Sequence, residues 1–454
     1  MSVTGKILRS NVDMTQGEPL TVIFSFALPL LVGNLFNQLY NVLDTAIVGR
    51  ALGASALAAV GSTGNINACL FLLLGGLSTG VGVIVAQYWG AQRYDELRRL
   101  LGTFFTLLLA GAVVLSLLGV ALAAPILRLM QIPAELLEMG VTYLRITAGL
   151  LLGNALYNAA GAVLRSTGDS RTPLAAMAAS SLCNIVLDLW FILGLRMGVA
   201  GAALATVAAQ FLSALICLWV LWRRKKPFVF ASVRLCFNSE DAALILRFGL
   251  PTALQSCMIT LGGMTVQGIV NSFGSVTMAA YTAVQRIDSL TIQVVVSVSN
   301  ALAVYTGQNM GRRDIDRVRQ GLRATLKALC VICLGLALAV FASRRLLLSI
   351  FLDPATDAAS IAQGADFLSV MGFAYIIAAV MNSYLNVLRG AGDVNVSLIA
   401  GLFEMGARLA FAGLLAPRLG VWGIWLATPL SWASGCIIPV ARYYSKEWMK
   451  KALL

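Results

Sequence analysis

An all-α polytopic membrane protein, twelve spans in two pseudo-symmetric six-helix bundles, is the fold this sequence predicts, on three observations. Of its residues 59% are hydrophobic and 12% charged, with a mean hydropathy of +0.84, too little polar surface for a water-soluble fold. Windows of the roughly 20 apolar residues that an α-helix needs to cross a bilayer recur along the chain, six in each half. The second half also repeats landmarks of the first about 222 residues later. Pro29 returns as Pro251, Gln87 and Gly90 as Gln308 and Gly311, Leu164-Arg165-x-x-Gly168-Asp169 as Leu388-Arg389-x-x-Gly392-Asp393, and Gly198-Val199-x-Gly201 as Gly420-Val421-x-Gly423. The bundles are expected over 1–222 and 242–454, joined by a cytoplasmic linker over 223–241. Duplicated membrane halves with interrupted helices at matching places usually enclose a substrate site at their interface.

The first span, 20–44, follows Lys6 and Arg9. It is too long for a signal-peptide core and lacks a small-residue cleavage pattern, so it is expected to be retained. Its Pro29 can bend the helix and free backbone carbonyls. Asn34, Asn37, Asn41 and Asp44, spaced 3, 4 and 3, then share one face of a 3.6-residue helix. That face is ill-suited to lipid, although an aspartate near a helix end also sits comfortably in the interface. The second span, 52–82, carries Gly75, Gly76, Gly80 and Gly82, which permit close helix packing. The third is the apolar window 98–124, and the fourth, 136–164, places Asn154 and Asn158 one turn apart. In the fifth, 172–194, Asn184 and Asp188 form an i, i+4 pair that can offer two oxygens to one ion, and the sixth, 199–222, adds the Thr206 hydroxyl.

An ionisable side chain at the bilayer centre costs about 2.5–3.5 kcal/mol on insertion scales, so it usually faces a cavity and has a function. Oxygen ligands of this type suit a hard cation such as sodium, and a carboxylate among apolar helices can take a proton instead. The amides and the hydroxyl have the plainer alternative of gluing helices together.

The seventh span, 242–270, opens with Pro251, and the eighth, 277–304, holds Arg286 and Asp288, which point to different sides of one helix. The ninth, 321–343, contains Cys330-x-x-Cys333, read as packing because it lies mid-helix with no second pair and the chain has no histidine. The tenth is 361–387. In the eleventh, 395–416, Glu404 and Arg408 stand one turn apart and can neutralise each other; the twelfth is 420–443. Gly406 and Ala410 fall opposite Asn184 and Asp188, so the acidic amide pair belongs to the first half alone. Each Arg-x-x-Gly-Asp copy reads as a glycine closing one helix and an aspartate capping the next.

Most of the 33 Lys and Arg fall at the termini and in alternate loops, while Arg50, Arg128, Arg196, Arg344, Arg345 and Arg418 lie in the opposite loops and Arg145, Arg286 and Arg408 within spans. Both termini are therefore expected in the cytoplasm. The net charge of +13 comes from short loops beside spans, Arg223-Arg224-Lys225-Lys226 opening the longest, and is read as topology and lipid contact rather than nucleic-acid binding. Of the eight cysteines only Cys236 falls outside a span, so no disulfide framework is expected. Without histidine the usual metal ligand and pH switch are missing, and proton chemistry falls to carboxylates. An enzyme's base or metal site is equally absent from the pattern.

Leu43-Asp44-Thr45-Ala46-Ile47-Val48-Gly49, Asn184-Ile185-Val186-Leu187-Asp188, the run from Gly198 to Thr206 and the Leu-Arg-x-x-Gly-Asp repeats resemble the multidrug and toxic compound extrusion (MATE) transporters, over about residues 15–445. The resemblance implies a V-shaped pair of bundles that export amphipathic, often cationic compounds in exchange for sodium or protons by rocking between two access states. The chain is most similar to the branch whose cation site lies in the N-terminal lobe. Carried onto matching positions, that site comprises Asp44, Asn184, Asp188 and Thr206, which would hold a sodium ion or a proton, with Asn158 and the Ala202 carbonyl nearby. Another branch carries acids in the seventh and tenth helices, where this chain has only Gln255, Gln267, Asn382 and Asn386. An organic cation would pair with Asp44, Asp288 or Glu404 and rest its apolar part on Tyr40, Tyr157, Met264 and Tyr281; Asn37, Asn41, Asn154, Arg286 and Arg408 complete the expected substrate-cavity set.

The implied protein is a multi-pass antiporter of the bacterial cytoplasmic membrane, not an enzyme. It would work as a monomer on small amphipathic substrates, with lipid but no nucleic acid as partner and no cofactor beyond its coupling ion. Sodium and protons stay open. The alternative is a flippase for a lipid-linked precursor, which would be expected to line its cavity with several basic residues.

Overall fold

The computed structural model describes residues 12–224, 228–451 and 453, without the side chain of Leu261. Lys6, Arg9, Lys225 and Lys226, which enter the charge argument, lie outside the described residues. Among the described residues the chain is helical and contains no strand.

Helix α1 runs over Pro19–Gly90, 72 residues. At ~1.5 Å per residue that is about 108 Å, more than three times the ~30 Å hydrocarbon core. It is broken at Gly53, with φ 86° and ψ 177°, a conformation open to glycine alone at little cost. The sequence suggests a connection over 45–51, but those residues remain helical and one glycine divides the first two spans. The run Thr45–Leu52 contains no proline or asparagine to end a helix early, and Thr45 donates its hydroxyl to the Asn41 carbonyl one turn back at 2.7 Å.

Helix α2 is Tyr94–Leu129. The fourth span is two helices, α3 (Ala134–Gly149) and α4 (Leu152–Ser166), bent by 44° at their junction. Then follow α5 (Arg171–Asp188), continued by a π-helical turn over Leu189–Gly194, and α6 (Gly198–Arg223). The second half supplies α7 (Ser239–Asn271), α8 (Ser275–Gly311), α9 (Ile315–Leu348), α10 (Ala358–Gly390), α11 (Val394–Leu419) and α12 (Val421–Tyr444). Among the described residues ten helices are singly long and apolar enough to cross a membrane, and the bent pair makes eleven. Dividing α1 at Gly53 gives the twelve spans expected. Exposed leucine, valine and phenylalanine, such as Leu117 and Val331, cover the outer faces, as lipid contact requires.

Two compact units result. One holds Val32–Ala253 and the other Asp13–Leu31 with Leu254–Leu454. The chain thus changes unit within α1 and again within α7, each time just past the repeated proline, Pro29 or Pro251. In the first unit α1 and α7 meet through glycines: a Cβ on Gly76 would lie 2.3 Å from the Ala253 Cα, and one on Gly80 would lie 2.4 Å from the Phe248 carbonyl oxygen. Gly80→Val is therefore expected to lower stability by about 1–3 kcal/mol or more, read as a fall in the unfolding midpoint of purified protein; an unchanged midpoint would mean the helices pack less closely. In the second unit buried Met14 is anchored on the end of α8, its backbone N–H donating to Gln308 Oε1 at 3.3 Å and its carbonyl accepting from Asn309 at 3.0 Å.

The repeated helix ends keep their glycines at positive φ, 93° at Gly168 and 99° at Gly392. The aspartates differ. Asp169 caps α5 as expected, accepting from the backbone N–H of Arg171 (3.1 Å) and Thr172 (3.0 Å), and it also pairs with Arg224 at 2.5 Å. Asp393 makes no cap bond to α11 and is instead paired with Arg442 at 2.7 Å.

Candidate functional site

The first unit gathers its acids where α1, α5 and α6 converge. Asp188 is the last residue of α5 before the π-helical turn, an irregularity frequent at functional sites, and like Asn184 it is 0% exposed. Its carboxyl is a direct neighbour of the half-buried Asp44 carboxyl on α1. Two ionised carboxylates are both acceptors, and neither Asp188 oxygen, nor Asp44 Oδ1, nor either amide atom of Asn184 has a hydrogen-bond partner among the described residues. Buried polar atoms are nearly always paired in folded proteins. Four orphaned oxygens from two helices are a donor set for a proton or a small hard cation. Thr206 on α6 donates its hydroxyl to the Ala202 carbonyl at 3.0 Å, and the Tyr40 and Tyr143 hydroxyls meet at that same oxygen, within the field of the acid pair.

One turn from each of these side chains the lining becomes apolar. Val48 follows Asp44, Ile192 follows Asp188 and Ala202 precedes Thr206; all three belong to one buried cluster with Ala56, Tyr143, Val199 and Ala203. The acids thus sit against an apolar plug at the end of the unit where α5 connects to α6.

Asn158 and Asn154 are tied to each other instead: the Asn158 amide donates to the carbonyl and side-chain oxygen of Asn154, both at 2.9 Å, while Asn158 Oδ1 faces Gly75. Asn41 donates to Asn37 at 3.2 Å on the exposed face of α1, and Asn37 reaches the Met177 sulfur. Tyr157 donates to the Pro173 carbonyl at 3.4 Å.

The second unit pairs Glu404 with Arg408, places Asp288 within the field of that arginine, and leaves Arg286 and Met264 exposed. Glu404 and Arg408 form a buried ion pair at 2.6 Å, the structural pairing their spacing suggests, and Arg408 also donates to Ser431 at 3.3 Å. Asp288 faces the Tyr375 hydroxyl within the field of Arg408, and its Oδ1 is buried without a hydrogen-bond partner. Tyr281 is core, stacked on Phe367 (5.8 Å) and Trp425 (6.3 Å), with its oxygen accepting from Gln285 at 2.6 Å. Tyr143 and Tyr375 escaped the sequence reading. Each lies in an apolar span, and only acids on other helices mark it.

Twelve duplicated spans, with buried carboxylates that lack hydrogen-bond partners among the described residues, are the architecture of a membrane transporter. The chain belongs to the MatE family, whose sequence profile matches residues 29–190 and 251–414. It is 31% identical over 441 residues to the probable multidrug resistance protein YpnP of Bacillus subtilis, covering 96% of this chain and 97% of that one. It is 25% identical over 439 residues to an FAD transporter of Shewanella oneidensis, covering 93% of each. Its fold matches that of a MOP superfamily transporter from Pyrococcus furiosus with a TM-score of 0.89 at 22% identity, over 98% of this chain and 99% of the other.

Proposed function

We propose that this protein is a secondary antiporter that exports small amphipathic, often cationic compounds in exchange for protons or sodium ions. The observation that carries the reading is the Asp44–Asp188 pair, two adjacent carboxyls of which three oxygens, both of Asp188 and Asp44 Oδ1, are buried without a hydrogen-bond partner among the described residues. Loading one proton or cation there relieves their repulsion, and unloading restores it. That difference is what a two-state transporter requires of a coupling site. Asn184 and Thr206 supply further oxygens for a cation, and a buried apolar cluster begins one turn away. Asn158, bound to Asn154, acts indirectly by shaping α4 beside Gly75.

In the second unit Asp288 is the group that pairs with an organic cation, because Arg408 already neutralises Glu404. Substrate class follows the family: relatives are named for multidrug resistance, and one for FAD transport. The flippase reading is not favoured, since of the three arginines that the sequence places within spans Arg145 and Arg286 are exposed and Arg408 is neutralised, and Arg389 near the end of α10 donates to Gln255. The protein works as a monomer in a bacterial cytoplasmic membrane with both termini inside, as its loop charges suggest.

Dye efflux from reconstituted vesicles, with sodium and pH gradients imposed separately, tests the proposal. Uphill dye movement driven by at least one gradient is expected. Movement only down the dye's own gradient would identify a passive channel and overturn antiport.

A further inference from the structure

We infer that the second unit carries a site for the phosphate group of an anionic phospholipid, independent of the transport pathway. A cavity of about 330 Å³ opens where the start of α9 and the ends of α10 and α12 meet, walled by Arg319, Arg323, Lys446, Tyr384, Tyr443 and Tyr444. Its volume lies at the lower end of small-molecule sites, about 300–1,000 Å³. It suits a headgroup rather than a whole lipid.

The charge is one-sided. Among the described residues no acidic side chain lines the cavity. Arg319 is paired with Asp316 at 3.1 Å, but that carboxylate is 82% exposed, so water screens the pair and it neutralises little. Three cations around one cavity repel one another, and an anion between them removes that repulsion. The tyrosines add directional donors: the Tyr384 and Tyr444 hydroxyls stand 3.4 Å apart, and Tyr443, stacked on Trp448 at 5.2 Å, meets Tyr384 edge-on at 5.1 Å. Arginine and hydroxyl donors together are what a phosphate's oxygens take up. Lys446 holds a left-handed backbone conformation, φ 61°, costly for a residue with a Cβ and placed just beyond α12.

The internal repeat shows that this cavity is not forced by the fold. At the local offset of 221 residues, Arg323 occupies the place of Gly102. In the first unit that place is covered: a Cβ on Gly102 would lie 2.3 Å from the Arg234 carbonyl oxygen and 2.7 Å from the Cys236 sulfur of the connecting segment. In the second unit the same position carries a cation facing a cavity. The location suits lipid, since the cavity sits at the bundle end bearing the basic turn Arg312-Arg313, the end the loop charges assign to the cytoplasmic leaflet, and basic pockets between helices on that side bind anionic headgroups.

The full chain would be reconstituted in vesicles of neutral phosphatidylcholine with or without phosphatidylglycerol, extracted in mild detergent, and its retained lipid measured by native mass spectrometry. Wild-type protein is expected to retain phosphatidylglycerol, and Arg319→Gln/Arg323→Gln to retain roughly ten- to thirtyfold less. Arg319→Lys/Arg323→Lys should restore much of the loss. Arg312→Gln/Arg313→Gln, which removes two exposed cations outside the cavity at the same end, should leave retention unchanged. Equal losses from both glutamine pairs would reduce the effect to general surface charge and overturn the site. Displacement of the lipid by an equal concentration of inorganic phosphate would overturn lipid as the source of the phosphate.

Discussion

Asp188→Asn is expected to abolish gradient-driven efflux while the protein still folds and reaches the membrane. The amide keeps the shape of the carboxylate but cannot change charge, so a site that works by loading and unloading loses its function outright. Each net positive charge moved inward per exchange cycle supplies about 2.3 kcal/mol per 100 mV, which corresponds to roughly a fiftyfold concentration ratio of exported substrate. That ratio should fall to about one in the variant. Stability should move the other way, or not at all: Asp188 is 0% exposed and its oxygens have no donor, and an uncompensated buried charge is a cost to the fold. A side chain present only to hold helices together would show the reverse, with lost stability and retained efflux. Vesicle efflux and thermal unfolding of the same preparation distinguish the two.

Arg408→Met is expected to cost about 3–5 kcal/mol of stability, because it strands Glu404 in the second unit. The two side chains are 15% and 11% exposed, so water cannot take the place of the guanidinium. Glu404→Gln/Arg408→Met should recover much of the loss, since removing both charges removes the desolvation penalty along with the attraction. The comparison is read from chemical or thermal unfolding in detergent. A loss below about 1 kcal/mol in the single variant would show that Glu404 is held by a neighbour other than Arg408, the Trp432 side chain being the one beside it.

Much of this fold is legible in the sequence because a membrane helix is written in a single property, apolar length, and the duplication checks each half against the other. What escapes is where helices break. Gly53 divides α1 by adopting φ 86°, and nothing distinguishes it in the sequence from the many glycines that pack helices at ordinary dihedrals, such as Gly76 and Gly80. The bend between α3 and α4 passes through Gly149-Leu150-Leu151, an apolar run with no proline to announce it. Repeated motifs also promise more symmetry than three dimensions deliver: Asp169 caps its helix while Asp393 turns to Arg442.

For the candidate site, spacing was sufficient within a helix and insufficient between helices. The i, i+4 rule finds Asn184 with Asp188 and Glu404 with Arg408. It equally offers Asn154 with Asn158, which satisfy each other. That Asp44 meets Asp188, with Tyr143 beside them, depends on contacts among α1, α3 and α5 that no local pattern encodes.

The most direct test of the account is the release of a coupling ion when substrate binds. Purified protein in weakly buffered solution would be loaded at fixed pH and sodium concentration, saturated with a cationic dye, and monitored with proton and sodium electrodes. Release of protons or sodium is expected from the wild type, and none from Asp188→Asn at equal dye occupancy. Equal release from both, or dye binding to the wild type with no ion released, would contradict the exchange on which the account stands.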